Sequence, residues 1–169
     1  AHNGHGGALG WSEPLAVEVV AADAWPDAVF PVDDYIARAG NVDDGVAAAL
    51  AEIARQGGGV LQLAARVYHI TRTILLPPRT VLRGRGKDRT RIALPKEGAV
   101  APPYVAVSGD RDFAIEDLSI VGVYAPLLVC APSLAPEDFD RAFLHAHDLV
   151  PRHACNVTLR RVHLAQTIL

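Results

Sequence analysis

Apolar and polar positions change their period once along this chain. Over about residues 43–56, Val46, Leu50, Ile53 and Ala54, with Ala47, recur at helical spacing. Asp43 or Asp44 is expected to cap the start, and Gly57-Gly-Gly59 to stop the helix. Beyond Gly59 the helical period disappears and short apolar runs alternate with turn residues: Val60–Leu63, Val67–Ile70, Thr73–Leu76, Thr80–Arg83, Arg91–Leu94 and Tyr104–Val107. Two longer strand patterns follow, over Phe113–Gly122 and Asn156–Leu164. Upstream, Leu15–Val20 alternates like a strand. Trp25-Pro-Asp and Phe30-Pro-Val-Asp-Asp34 read as extended linker, because proline pushes its predecessor out of the helical region.

A loose repeat runs through the strand-rich part. Leu61 to Leu82, Val81 to Val105 and Ile92 to Ile115 are separated by about 21–24 residues, a period that points to stacked coils. Coils of this kind bury their inward side chains only against neighbours above and below. A β-sandwich is the competing architecture.

Tyr35-Ile-Ala-Arg-Ala-Gly40, Asp43–Ile53 and Gly57-Gly-Gly-Val-Leu-Gln-Leu63, then Tyr68-His-Ile70, Leu76-Pro-Pro78 and Thr80-Val-Leu-Arg-Gly-Arg-Gly86, follow one another in an order that resembles the opening of pectate-lyase-superfamily proteins. The resemblance covers about residues 35–122, with a further coil at 155–164. It implies a right-handed parallel β-helix, a mainly β solenoid with an N-terminal capping α-helix over 43–56. Residues 1–34 then form an extension or linker, 35–169 the cap and first coils, and about 123–154 an inserted loop. Two departures stand out. The acidic run before the helix is shortened to Asn41-Val-Asp-Asp44, and the last strand is followed only by Gln166-Thr-Ile-Leu169. The solenoid is therefore expected to be incomplete at its C-terminal end, completed by a continuing segment or a partner subunit.

Composition narrows the function classes. Half the residues are apolar and methionine is absent, so the core must be built from Val, Leu, Ile and Ala. The net charge is −3 and no basic stripe carries interleaved aromatics, which argues against a nucleic-acid surface. No apolar run reaches the roughly 18–20 residues of a membrane span. The first residue is Ala and not Met, so a processed or trimmed chain is expected, with no signal peptide left to read. The two cysteines, Cys130 and Cys155, either pair or serve as small core residues.

The two late strands superpose without a gap. Phe113 and Ile115 match Val157 and Leu159, while Leu118 and Ile120 match Val162 and Leu164, all expected to point inward. Glu116 then lies beside Arg160, Asp117 beside Arg161 and Ser119 beside His163. A cross-strand ion ladder is the plain reading of these charges. As acids or bases, Asp110, Asp112, Glu116 and Asp117 are the catalytic candidates. Adjacent strand residues face opposite ways, so Glu116 and Asp117 do not form a natural pair.

Within the insertion, Pro136–His147 reads as a short helix with acids at its start and histidine at its end. His145 and His147 at i,i+2 do not share a helix face, and with Asp148 and His153 they make a poor metal set. Arg83, Arg85, Lys87, Arg89 and Arg91 form the only basic run. Guanidinium groups pair with carboxylates in bidentate fashion, so Arg83 and Arg85 are candidate contacts for an acidic polysaccharide. His145, His147 and His163 are further candidate substrate contacts.

Taken with the resemblance, these features imply part of a secreted or periplasmic carbohydrate-active enzyme that cleaves glycosidic bonds of a poly- or oligosaccharide by hydrolysis or elimination. Its catalytic groups would lie largely in later coils. A non-catalytic carbohydrate-binding, adhesin or tailspike-like scaffold, or one subunit of a split enzyme, is the alternative. No organic cofactor and no metal is expected; calcium enters only through the resemblance.

Overall fold

The computed structural model describes residues 25–93, 105–122, 125–129 and 156–166. Strand β1 (Val29–Pro31) leads directly into helix α1 (Val32–Ala39), and α2 (Val42–Arg55) follows. The remaining strands are β2 (Gly59–Gln62), β3 (Val67–His69), β4 (Ile74–Leu76), β5 (Thr80–Arg83), β6 (Arg91–Ala93), β7 (Val105–Gly109), β8 (Phe113–Gly122), β9 (Ala125–Val129) and β10 (Val157–Gln166).

Helix α1 falls where the prolines suggested linker. Pro31 does force Phe30 to be extended, and that residue is the centre of β1. Pro31 itself stands immediately before the first helical residue, where a missing N–H costs nothing. Asp33 and Asp34 in the first turn and Arg38 in the last suit the helix dipole.

Helix α2 begins on Asn41, not on an aspartate. The Asn41 side chain accepts the Asp44 N–H at 2.8 Å and donates to the Asp44 carboxylate at 2.6 Å. Asp43 turns outward from the helix start and accepts the N–H and hydroxyl of Thr71, tying α2 to the segment before β4. Its inward face buries Val46, Ala49, Leu50 and Ile53 in the main apolar cluster. At roughly 1.5–3 kcal/mol for each large side chain removed from water, that face anchors the helix.

The strands form two parallel sheets. The larger has seven strands in the order β1-β2-β5-β8-β6-β3, with β10 added on β8; the smaller has three, β4-β7-β9. The expectation of a right-handed β-helix is overturned by this arrangement: among the described residues the fold is mainly β with two helices, and no solenoid is indicated. A solenoid needs a near-constant step between stacked neighbours. Only Leu61–Leu82, of the three spacings that suggested one, is a real ladder contact. Val81 pairs with Val60 and Ala114, and Ile92 with Tyr68 and Ile120. Cross-strand partners are 21 residues apart at Gln62–Arg83, 33 at Arg83–Glu116 and 44 at Asp117–Arg161. The expected insertion at about 123–154 also begins with a strand, since β9 pairs with β7.

Strand β8 is the hub. Its first half pairs with β5 and its second with β6, while β10 runs along its whole length. Between the halves Asp117 is left-handed (φ 55°), and Arg161 in β10 is left-handed at the matching place (φ 53°). A single residue of that conformation bends a strand, so the two strands bend together. The bend is closed by the Gly84 N–H donating to the Glu116 carbonyl at 2.9 Å and the Gly86 N–H to the Asp117 carbonyl at 2.8 Å.

The β8–β10 register is the one read from the sequence, Phe113 with Val157 through Ile120 with Leu164. Burial across it is unequal. Ile115 and Ile120 are 0% exposed, whereas Leu159 and Leu164 are 47% and 39% exposed. No helix among the described residues is long and apolar enough to cross a membrane.

Candidate functional site

An open cleft of about 460 Å³ lies where three segments of the chain meet. The end of β1 and the first turn of α1 supply Pro31 and Asp33; the end of β2 supplies Gln62, Leu63, Ala64 and Ala65; the turn after β5 supplies Arg85 and Arg89. Clefts that hold small ligands run about 300–1,000 Å³, so the space is sufficient for one or two sugar rings.

One wall is fixed by a polar network around a buried tyrosine. The Tyr68 hydroxyl accepts the Ala64 N–H at 2.7 Å and donates to the Asp33 carboxylate at 3.1 Å. Arg66 donates to the same carboxylate oxygen at 2.5 Å, and its guanidinium lies 4.5 Å from the Tyr68 ring centroid. Burial raises the Tyr68 phenol above its ordinary value. The Arg66 guanidinium is held protonated still more firmly, first by its hydrogen bond to Tyr68 and then by Asp33. The Asp33 carboxylate is thus paired within the wall.

Thr90 locks the opposite wall. It is fully buried, its hydroxyl accepts the Arg85 N–H at 2.8 Å and donates to the Ala64 carbonyl at 2.8 Å. The Gly86 carbonyl accepts the N–H groups of Arg89 and Thr90. Gln62 reaches across from β2, its amide donating to the carbonyls of Arg83 and Gly84 at 3.0 and 3.2 Å. The turn is therefore pinned to β2, while the Arg85 and Arg89 side chains project from it and are exposed.

Among the described residues neither the Arg85 nor the Arg89 guanidinium meets a carboxylate, whereas Arg55, Arg66, Arg72, Arg83, Arg160 and Arg161 each do. The cleft therefore combines an apolar floor of Pro31, Leu63, Ala64 and Ala65 with two uncommitted forks of N–H donors. Such forks match planar anions, and the floor suits the C–H face of a ring.

The basic run is divided by the fold. Arg85 and Arg89 line the cleft. Arg83 faces elsewhere, its Nε 3.0 Å from Glu116, and Lys87 contacts Asp88. Glu116 has a second cation, Arg160, at 2.8 Å, and its side chain is only 9% exposed. Asp117 takes two hydrogen bonds from Arg161, which hold its carboxyl below the ordinary aspartate value. Both acids of the candidate catalytic set on β8 are thus rungs of an ion ladder. Asp110 and Asp112 occupy the turn between β7 and β8, where Asp112 is left-handed and its carbonyl accepts the Arg79 N–H.

His163 is exposed on β10 beside Ser119, whose hydroxyl donates to the Lys87 carbonyl. Neither residue lines the cleft. His145, His147, Asp148, His153, Cys130 and Cys155 lie outside the described residues, as do Leu15–Val20 and the short helix expected over 136–147. Among the described residues no three His, Cys, Asp or Glu side chains gather in one place.

Sequence reasoning missed Asp33, Arg66 and Arg89 as parts of one site. Arg89 was visible within the basic run. Asp33 and Arg66 are 33 residues apart and meet only because β1 pairs with β2. Comparison with protein-family models, curated proteins and solved structures yields no match.

Proposed function

We propose that the chain binds an acidic oligosaccharide in the cleft between Asp33 and the Arg85–Arg89 turn, as a carbohydrate-recognition unit of a secreted or periplasmic protein. The observation that carries this reading is the pair of guanidinium groups, uncommitted among the described residues, at the rim of an apolar-floored cleft. A uronate carboxylate would take the forks of Arg85 and Arg89, and the ring would lie over Leu63 and Ala64.

Binding is preferred over cleavage of a glycosidic bond. Cleavage by the usual route asks for two carboxyl groups about 5–10 Å apart, free to act on one bond. In the cleft the one carboxylate is Asp33, and Arg66 and Tyr68 occupy it. Glu116 and Asp117 are held by arginines outside the cleft.

Calorimetric titration with a uronate oligosaccharide and with a neutral oligosaccharide of equal length tests the proposal. The uronate is expected to bind with an affinity that falls as salt rises, and Arg85→Ala with Arg89→Ala to weaken it at least tenfold. Equal binding of the neutral sugar, or unchanged uronate affinity in the double variant, would overturn it.

A further inference from the structure

The outer edge of β10 carries a second feature, independent of the cleft. In the described residues β10 pairs only with β8, so the backbone groups along its other side have no strand partner there. The same strand exposes Leu159 and Leu164, although their register partners in β8, Ile115 and Ile120, are fully buried. The difference has a simple cause. Among the described residues strand β8 has strand neighbours on both sides and β10 has one.

Charge indicates what would fit there. Successive strands place Arg83, Glu116 and Arg160 in one column, with the single carboxylate between two guanidiniums. The neighbouring position stacks Asp117 with Arg161. Sign alternates from strand to strand, and the outermost member at both positions is an arginine with more than half of its side chain exposed. A further strand would continue the alternation only with two successive carboxylates.

We infer that the edge of β10 left without a strand partner among the described residues is a docking site for an extended segment of another polypeptide that carries two adjacent acidic residues flanked by aliphatic ones. The segment adds as a parallel strand, its backbone completing the ladder of β10. Its acids take Arg160 and Arg161, and its aliphatic residues cover Leu159 and Leu164. Strand β8 has this pattern, Phe113-Ala-Ile-Glu-Asp-Leu-Ser-Ile120, and shows what β10 accepts on its inner side. Lysine-rich or uniformly polar strands would place like charge against the arginines or leave the leucines wet.

The probe is a fluorescein-labelled peptide of residues 113–122 with a soluble flank, titrated with the full chain and followed by anisotropy. A second peptide carries lysines in place of Glu116 and Asp117. The acidic peptide is expected to saturate, and the lysine peptide to bind at least tenfold more weakly. On the protein side, Leu164→Lys at the exposed edge should weaken the acidic peptide to a similar degree with an unchanged far-ultraviolet spectrum. The peptide comparison uses the unaltered protein, so it does not depend on any variant folding. Equal affinity for the two peptides would overturn the charge assignment. Absence of binding overturns the docking site, either with concentration-dependent self-association, which assigns the edge to a second copy, or with a stable monomer.

Discussion

Glu116 lies beneath Arg160 across the β8–β10 ladder, with Nη2 2.8 Å from Oε1, while its other oxygen takes Arg83 Nε at 3.0 Å. One nearly buried carboxylate therefore joins three strands. Replacing it by Glu116→Gln keeps the shape and removes the charge, leaving two guanidiniums facing a neutral amide. Both arginines are partly solvated, which limits the loss. Glu116→Gln is expected to destabilise the fold by about 1–2 kcal/mol. Urea unfolding should show a lower midpoint with an unchanged slope.

Gly84 tests the bend between the halves of β8. An added Cβ would run into the Asp117 carbonyl and lie 2.8 Å from both Leu118 Cβ and Thr90 Cβ. All three are packed, so the backbone must move, and with it the hydrogen bond from Gly84 to Glu116. Gly84→Ala is expected to cost about 1–3 kcal/mol, the usual penalty for overpacking. At Gly86 the nearest atoms are 3.7 Å away and belong to the flexible Arg89 side chain, but φ is +126°. Gly86→Ala should therefore act through backbone strain alone. Thermal melts of the two variants, each alongside the wild type, separate the two causes. Lost uronate binding is expected only where the turn moves.

Strand positions were legible because alternation survives in short runs. The limits of β5 at Thr80–Arg83 and β8 at Phe113–Gly122 coincide with the apolar patterns. The β8–β10 register was legible too, since two patterns of four apolar residues around two charges fit together in one way. Topology was not. An apparent period near 22 residues matched one true ladder step and two accidents, because buried Val and Ile recur in β2, β4, β5, β6, β7 and β8 and do not identify their partners. The cleft was half legible. Arg85 stood out by charge, whereas the pairing of Asp33 with Arg66 and Tyr68 depends on the β1–β2 pairing, and α1 was hidden by a proline that starts a helix.

Acid should act on the Asp117–Arg161 pair. The hydrogen bonds from Arg161 lower the Asp117 pKa from its ordinary 3.8. A carboxylate with a depressed folded value contributes stability above its unfolded value, and loses it as pH falls through the folded one. Arg161→Gln should therefore lower the melting temperature near pH 6, and the difference should shrink as the pH falls below the ordinary 3.8. A difference that persists or grows in acid would show that Arg161 acts by packing and not through this charge.

Tyr68 is the last test, because it joins the core to the cleft. Its ring is buried, yet its hydroxyl both receives the Ala64 N–H and donates to Asp33. Tyr68→Phe keeps the ring and orphans that N–H, at a cost of about 1–3 kcal/mol. It also leaves Asp33 with Arg66 alone on an exposed side, where a single ion pair holds geometry weakly. The cleft wall should loosen while Arg85 and Arg89 stay in place. Uronate affinity is then expected to fall a few-fold, less than for the double arginine variant, with its salt dependence unchanged. Binding as weak as in that variant would mean that the wall, not the guanidinium pair, supplies the recognition.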